Sequence, residues 1–363
     1  MTVRPSFLAN DPQTITAQLL AEWERIANKP LYPAQIERLL IDLAAYRETL
    51  TRFDIQDSAE QNLLGFARGN ALDALAELLG ATRLPPEPAR VMLRFTLEKA
   101  LPIDRVWPKA YIVRSGEGQR FELASDLRLF AGQVTGDVLA IAQVGGTAAN
   151  QLEPNSIIYP DLPDDQFTVT NLSSPMDGRE AESDEAFRIR LRLAAARAAA
   201  GSFEAYQYQA LSLSVRIVAA KVTSPSPGRV RVALLCDTGT PDDALITHAV
   251  LALNDPRTRP FTDEIQVWAA QPKVLTLAVS LIVRRGNPLV ADAVRARLDA
   301  FALARRKLLG QDLRAEQIVA QVLTVGGVIG LSELPPIWNQ SLEAHEFLDV
   351  RRINVTIAEV RDE

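Results

Sequence analysis

The sequence predicts an α+β protein of several domains: an N-terminal helical bundle segment, a β-rich domain and then two α+β domains. Three observations support this class. Apolar residues recur at helical spacing through the first eighty positions, short alternating segments separated by glycine turns fill about 90–170, and the remainder mixes both patterns. A chain of 363 residues is also long enough for two to four domains.

Composition and charge limit the classes of function. Hydrophobic residues make up 47% and charged residues 23%, which is typical of a folded globular chain. The net charge of −6 gives no overall electrostatic footprint for nucleic acid. No signal peptide and no apolar run of about 18 residues is evident, so we expect synthesis in the cytoplasm and no membrane span. The single cysteine, Cys236, excludes an internal disulfide and lies in the apolar run VALLC, which favours a buried, inert thiol.

The N-terminal region, residues 1–80, contains three predicted helices. The first, ITAQLLAEWERIA, ends at Asn28; the second begins with Pro33 in its first turn; the third runs from Ser58 to Gly80. The second helix carries apolar side chains at steps of 3-4-3-4-3, the spacing of a coiled-coil seam. Fewer than three heptads are present, so an amphipathic helix folded onto its own domain is an equal alternative. The seam, our candidate partner-binding site, consists of Ile36, Leu39, Leu43, Tyr46, Leu50 and Phe53.

A β-rich domain, residues 81–175, is predicted next. The prolines of ATRLPPEPA break the helical pattern and mark the boundary. Strands follow in VMLRFTLEKALPI, AYIVRSGEGQRFELASDLRL and GDVLAIAQV, with SGEGQ as a hairpin connection. We expect GGTAANQLEPNSI to continue in short strands and tight turns, and the polar stretches YPDLPDDQ and NLSSPMDGREAE to be linkers.

The central domain, residues 176–272, opens with a pair of helices. Ser183 is the predicted N-cap of a helix that runs to about Ala200 and stops at Gly201, and Ser202 caps the next helix. Asp184 is placed to pair with Arg188 at i,i+4. An acidic start disfavours a phosphate-binding helix, and the apolar stripe indicates a packing element with a charged outer face, not a site. That stripe contains Phe187, Leu191, Ala194 and Ala198.

The remaining elements continue the α+β pattern. RIVAAKVTS and RVRVALLC form a hairpin joined by PSPG, and Thr240 caps a helix with Pro241 at its first position. TDEIQVWAA is a further strand. In the C-terminal domain, residues 273–363, the alternating strand LTLAVSLIV precedes helices at about 288–307 and 314–324 and strands near VGGVIGLSEL and RINVTIAEV.

The strongest catalytic candidate is the triplet Asp237-Thr238-Gly239, which resembles the active-site triplet of aspartic proteases. Such enzymes need two facing aspartates that share a proton, and VIGL at 328–331 could be their second element. The triplet, however, leads directly into a helix, and VIGL is followed by SELPP rather than by a helix. A strand-to-helix turn is therefore favoured, and an aspartic-protease-like hydrolase using Asp237 is the alternative function.

Other chemical sites are weakly indicated. His248 and His345 have no partners at zinc-ligand spacing, and Asp161, Asp164 and Asp165 lack the EF-hand register, so a solvated loop is favoured over a calcium site. Trp107 is the only candidate aromatic for a peptide- or glycan-binding module, and a half-buried position in a sheet is favoured. We expect no enzyme activity, no cofactor, no metal and no small-molecule substrate.

Four stretches together resemble the phage baseplate assembly protein J family, the wedge proteins of contractile tails. They are AEQNLLGFARGNALDALAELLGATRLP, the ESDEAFRIRLRLA helix with AGSFEAYQYQAL, VTSPSPGRVRVALL, and RPFTDEIQVWAAQP, which span about residues 59–272. The resemblance implies a structural component of the tail baseplate of a contractile phage or related injection machine, assembled in the host cytoplasm. It also implies that the N-terminal helices enter a three-helix core bundle, which moves the seam towards an intermolecular role.

The resemblance further implies the partners. Two copies of the chain would join one protein I-like wedge partner, and six wedges would form a ring around the tube hub and spike. A small wedge protein resembling lysozyme would link the wedge to the sheath. The implied mechanism is mechanical, because opening of the ring would release sheath contraction through rigid-body rotation of domains.

Overall fold

The computed structural model describes residues 4–162, 166–194, 201–256, 259–285 and 289–361. These residues form eight α-helices and several β-sheets, which confirms an α+β multidomain fold. The chain divides into two compact units, Met1–Thr82 with Phe187–Leu191, and Arg83–Ala186 with Arg192–Glu363. None of the helices in the described ranges is both long and apolar enough to cross a membrane.

The first unit is built from three helices and part of a fourth. Helix α1 (Pro12–Ala27) is N-capped by Asp11, whose carboxylate accepts from the Thr14 amide at 2.9 Å, and it ends at Asn28 in the left-handed region. Helix α2 spans Ile36–Glu60 and helix α3 spans Gly69–Leu78. Two predicted boundaries were therefore wrong, since Pro33 precedes α2 and the third helix does not begin at Ser58.

A long-range contact explains the second error. Residues after Glu60 form a turn in which the amides of Phe66 and Ala67 donate to the carbonyl of Leu63. The guanidinium of Arg188, from a distant part of the sequence, donates to Leu64 O at 2.9 Å and to Ala67 O at 2.7 Å. The turn is thus held by a residue that no local helix signal could indicate.

The second unit begins with a nearly closed, antiparallel six-stranded sheet in the order β7-β3-β4-β6-β1-β8. Its strands are β1 (Pro88–Leu97), β3 (Ile112–Ser115), β4 (Arg120–Leu123), β6 (Thr135–Gly145), β7 (Ile157–Pro160) and β8 (Phe167–Asn171), and a separate pair joins β2 (Arg105–Trp107) to β5 (Leu127–Leu129). The predicted SGEGQ hairpin is confirmed between β3 and β4. A 3₁₀ helix at Ala148–Gln151 replaces part of the expected strand-and-turn region.

Asn171 joins the two ends of this sheet. Its side-chain oxygen accepts from the amides of Ser156 and Ile157 at 2.8 and 2.9 Å, and its amide group donates to the carbonyls of Glu153 and Ser173. The residue is fully buried. Four hydrogen bonds from one side chain therefore tie β8 to the start of β7, where the ladder between strands is incomplete.

The next elements are α4 (Asp184–Ala194), α5 (Phe203–Leu211), β9 (Ile217–Ser226), β10 (Arg229–Cys236), α6 (Asp243–Leu253) and β11 (Glu264–Ala269). Ser183 and Ser202 cap α4 and α5 as predicted. The predicted course of the first helix from 195 to 200, including Ala198, lies outside the described residues. Strands β9 and β10 form the expected hairpin, and β11 adds to β10 in parallel.

The predicted cap of α6 was wrong. Asp242 is the N-cap, accepting from the Leu245 amide at 2.7 Å, and Pro241 lies outside the helix. Thr240 instead donates its hydroxyl to Ala270 O at 2.9 Å. A carboxylate is a strong N-cap, and the tertiary hydrogen bond engages the threonine elsewhere.

The C-terminal sheet has the order β13-β12-β14, with β12 (Gln271–Arg284) parallel to β14 (Glu346–Arg361) and antiparallel to β13 (Val328–Leu331). Helices α7 (Val290–Arg306) and α8 (Ala315–Leu323) confirm the two predicted helices. Alternate residues of β12 from Leu275 to Val283 are buried in one apolar cluster with side chains of both helices. The residues that were expected to share one face of the strand therefore do so.

Candidate functional site

The candidate site is the exposed face of helix α2. All six seam residues are solvent-exposed, with exposed fractions between 40% for Leu50 and 75% for Ile36. A helix folded onto its own domain would bury this stripe, because an apolar face is the part of an amphipathic helix that packs. Within the described chain, the seam instead faces solvent along the length of α2.

The opposite side of α2 is buried and carries polar side chains. Its buried residues are Ala45, Thr49, Gln56 and Glu60. The Thr49 hydroxyl donates to Ala45 O at 2.7 Å, so it is satisfied within the helix. The usual arrangement of an amphipathic helix is thereby reversed, with apolar side chains outside and hydrogen-bonded polar side chains inside.

The buried polar side chains hold the segment from Arg4 to Ala9 against α2. Arg4 donates to both carboxylate oxygens of Glu60, at 2.7 and 3.0 Å. Gln56 donates to Pro5 O at 2.7 Å and accepts from the Phe7 amide at 2.8 Å. Arg52 donates to Ala9 O at 2.9 Å. The hydrogen bonds from Arg4, and then from Gln56, lower the pKa of Glu60, which keeps this carboxylate ionised.

Sequence reasoning missed parts of this site. Leu40 and Ile55 are also exposed apolar residues of α2, at 61% and 48%. Leu40 lies four positions after Ile36 and three before Leu43, so the helical spacing contained the signal for it. The pairing of Arg4 with Glu60 gives no such signal, because it joins positions 56 residues apart.

Arg188 and Arg190 of helix α4 donate hydrogen bonds to backbone carbonyls. Arg188 binds the turn after α2, and Arg190, only 2% exposed, donates to Thr82 O and lies over the Phe187 ring. Asp184 was predicted to pair with Arg188, whereas the structure places its carboxylate 2.7 Å from Arg83 and the Arg188 guanidinium on two backbone carbonyls. Helix α4 is a packing element, as expected, with Arg190 buried and Arg192 exposed.

Asp237, the candidate of the alternative hydrolase, is engaged by an arginine. Arg179 Nε lies 2.5 Å from one carboxylate oxygen of Asp237 and Nη2 lies 3.3 Å from the other. The Thr238 amide also donates to Asp237, and Gly239 has a φ of +116° at the turn that follows β10. The carboxylate of Asp237 therefore lies against a guanidinium, whereas the protease mechanism needs two carboxyl groups that face each other.

The other candidate residues are dispersed. His248 lies exposed on α6, and His345 packs its ring at 5.1 Å and nearly perpendicular to that of Trp268. Asp161 pairs with Arg114 and Arg120, while Asp164 and Asp165 lie outside the described residues. Among the described residues, no group of three or more histidine, cysteine, aspartate and glutamate side chains could hold a metal ion.

Two further side chains lie in apolar cores. Trp107 is 3% exposed and packs against Phe95 and Phe167 at ring distances of 5.0 and 5.1 Å, so it is more buried than predicted. It offers no exposed aromatic surface for a peptide or glycan. Cys236 is buried as predicted, and burial raises the pKa of its thiol to about 12.

Comparison with known proteins identifies two domains. Residues 38–90 match the baseplate J-like N-terminal domain, and residues 198–269 match the baseplate J-like central domain. These matches confirm the predicted resemblance to the baseplate J family and support a structural baseplate component. The first match includes most of the seam.

A solved structure resembles the fold. It is the cryo-EM structure of the anti-feeding prophage (AFP) baseplate, 6-fold symmetrised, with 11% sequence identity and a TM-score of 0.49 over 93% of this chain and 90% of that chain. No curated protein matches this chain at a significant level of sequence similarity.

Proposed function

We propose that this chain, whose residues 38–90 and 198–269 match the baseplate J-like N-terminal and central domains, is a structural wedge protein in the baseplate of a contractile phage tail or related injection machine. The proposed role is mechanical. The chain holds its place in a ring around the tube hub and passes on the trigger for sheath contraction. No catalytic group, cofactor or small-molecule substrate is required for that role.

The observation that carries this proposal is the reversed arrangement of α2. Six apolar side chains at coiled-coil spacing are exposed, and the buried side of the helix is polar and occupied by the chain's own Arg4–Ala9 segment. Full burial of one large apolar side chain stabilises by about 1.5–3 kcal/mol. Partner helices on the seam would therefore gain a substantial free energy that the free chain forgoes.

We propose specific partners for this surface. Two copies of the chain and one protein I-like partner would each supply one helix to a three-helix bundle that is formed around the seam. Other surfaces would contact the small lysozyme-like wedge protein and the hub and spike proteins, and six wedges would close the ring. The family resemblance supports these partners, and the exposed seam supports the bundle.

Co-expression with the protein from the neighbouring reading frame, followed by mass determination of the purified complex, tests the proposal. We expect a complex of two copies with one partner. The variant Leu43→Asp with Leu50→Asp should abolish it, because two charges would then have to be buried in the bundle. The matched control is Leu251→Asp with Leu303→Asp, which changes two leucines that are similarly exposed but lie on α6 and α7.

The control variant should assemble as the wild type does. A complex that survives the α2 substitutions would contradict the bundle. A chain that stays monomeric with the partner, whatever its seam sequence, would contradict the wedge role and justify assaying Asp237→Asn for lost hydrolase activity.

A further inference from the structure

Strand β14 has an open edge. It lies at the side of the C-terminal sheet, and within the described part of the chain β12 is the only strand that pairs along it. A single bridge from Leu309 to Phe347 covers its beginning. The outer backbone N–H and C=O groups from Leu348 to Arg361 can therefore pair with another strand. Proteins usually prevent such pairing on an edge strand of this length.

The sequence of this edge is complementary to itself when it is read in the opposite direction about Val355. An antiparallel copy would place residues of matching character opposite each other on both sides of that centre. The pairs are Asp349 with Arg361, Val350 with Val360, Arg351 with Glu359, Ile353 with Ile357, and Asn354 with Thr356. Only Arg352, opposite Ala358, lacks a matching partner.

The two irregularities of β14 lie on either side of Val355. Its register against β12 skips Arg351 and Ala358, so each of these is an extra residue of the kind found in a β-bulge. In the antiparallel arrangement, the two-residue step 351–352 lies opposite the step 358–359. The inward-facing side chains on either side of the bulges therefore stay in register with those of the copy.

The arrangement of charges on this edge indicates whether the edge prevents or permits pairing with another strand. Charged residues on an edge strand normally prevent pairing. Here Arg351 contacts Asp349 at 3.1 Å, and Arg361 contacts Glu359 at 2.9 Å, both within one strand. In the antiparallel pair, Arg351 of one copy would face Glu359 of the other, and Asp349 would face Arg361. Each of these contacts between opposite charges would occur twice, once at each end of the paired strands. The pattern attracts a second copy.

We propose that the outer edge of β14 binds β14 of a second copy of this chain, antiparallel and about a twofold axis at Val355. The two three-stranded sheets then form one continuous sheet of six strands, and the interface is isologous because each pair of residues occurs twice. The contact is separate from the α2 seam and stands on strand geometry, so it does not depend on the wedge role.

Cross-linking tests the register. The test uses the full chain with Asn354→Cys and Thr356→Cys. In the proposed register, the thiol at 354 of one copy lies opposite the thiol at 356 of the other, on the open face of the sheet. We expect a covalent dimer on mild oxidation, seen on a non-reducing gel. The matched control, Thr276→Cys with Ala278→Cys, lies on the same face of the interior strand β12 and should remain monomeric. The native Cys236 is buried and does not interfere.

Charge reversal tests the attraction. Sedimentation of the full chain should show self-association that Arg351→Glu weakens by about tenfold, because the change affects two ion pairs in the dimer. Glu359→Arg should act likewise, and the two changes in one chain should partly restore association. Arg229→Glu, which breaks an exposed pair with Glu264, should leave it unchanged.

The seam variant separates this proposal from the wedge role. Association that persists with Leu43→Asp and Leu50→Asp but falls with Arg351→Glu supports the strand contact. Association that is lost only with the seam substitutions overturns the strand contact and leaves the wedge role intact. Absence of both the cross-link and any effect of Arg351→Glu also overturns the strand contact.

Discussion

At the scale of single residues, Asn171 replaces part of a strand pairing. Its side chain makes four hydrogen bonds to the backbone at the point where the six-stranded sheet nearly closes, and it is fully buried. Removing such a side chain leaves buried amides and carbonyls without partners, which costs about 1–3 kcal/mol for each orphaned group unless water replaces it.

We therefore expect Asn171→Ala to lower the free energy of unfolding by about 2–4 kcal/mol. Chemical denaturation, monitored by the fluorescence of the tryptophans, measures this change. The control is Asn62→Ala, since the Asn62 side chain is exposed and donates to Ser58 O within its own turn. Equal stability of the two variants would mean that the sheet does not depend on this side chain.

Other residues show what local sequence signals can specify. Ser183 and Ser202 were predicted as N-caps and are N-caps, because capping is decided within one turn of helix. Thr240 failed as a cap because Ala270, thirty positions away, accepts its hydroxyl hydrogen. The Arg188 guanidinium, which was predicted to pair with Asp184, likewise donates to distant backbone carbonyls.

At the scale of elements, α2 combines a predictable feature with an unpredictable one. The 3-4 spacing fixed which residues form the seam, but spacing is the same whether a seam packs within one chain or between chains. In the free chain the polar side of α2 is buried and the seam is exposed. This orientation depends on the hydrogen bonds of Gln56 and Glu60 to the Arg4–Ala9 segment. No local pattern predicts these hydrogen bonds.

The Glu60 pairing makes the attachment of this segment depend on pH. The folded pKa of Glu60 lies below its unfolded value, so its stabilisation is fully present above about pH 4.3 and is lost as the pH falls through the folded pKa. We expect Glu60→Gln to lower the melting temperature at pH 7 and to lower it by less near pH 3, because protonation weakens the pairing of the wild-type carboxylate. A difference between wild type and variant that is equal at both pH values would contradict this linkage.

At the scale of the whole molecule, three of the buried apolar clusters of the second unit follow the order of the chain, whereas a further cluster joins Ala233, Leu235 and Ala270 to Leu309 and Phe347. One contains residues from Ala89 to Val169, another from Tyr206 to Ile265, and a third from Leu275 to Val355. The alternation of strand and helix patterns predicted segments at 81–175, 176–272 and 273–363. These domain boundaries stay predictions, which the independence of the clusters during unfolding would test.

We expect scanning calorimetry of the full chain to show more than one unfolding component. Phe121→Ala in the first cluster and Leu281→Ala in the third should each destabilise by about 3–4 kcal/mol, because both side chains are fully buried. Each substitution should lower the temperature of a different component. A single two-state transition that both variants shift equally would contradict the domain boundaries.

The exposed seam would respond differently to selection for stability of the free chain and to selection for assembly with partners. Leu43 and Leu50 are 58% and 40% exposed, so a substitution there should cost the free chain less folding stability than one at a fully buried leucine. Replacing these leucines with polar residues would even improve the behaviour of the purified chain, because less apolar surface meets water. Laboratory evolution for stability would therefore erase the seam, and only selection for the assembled machine would keep it.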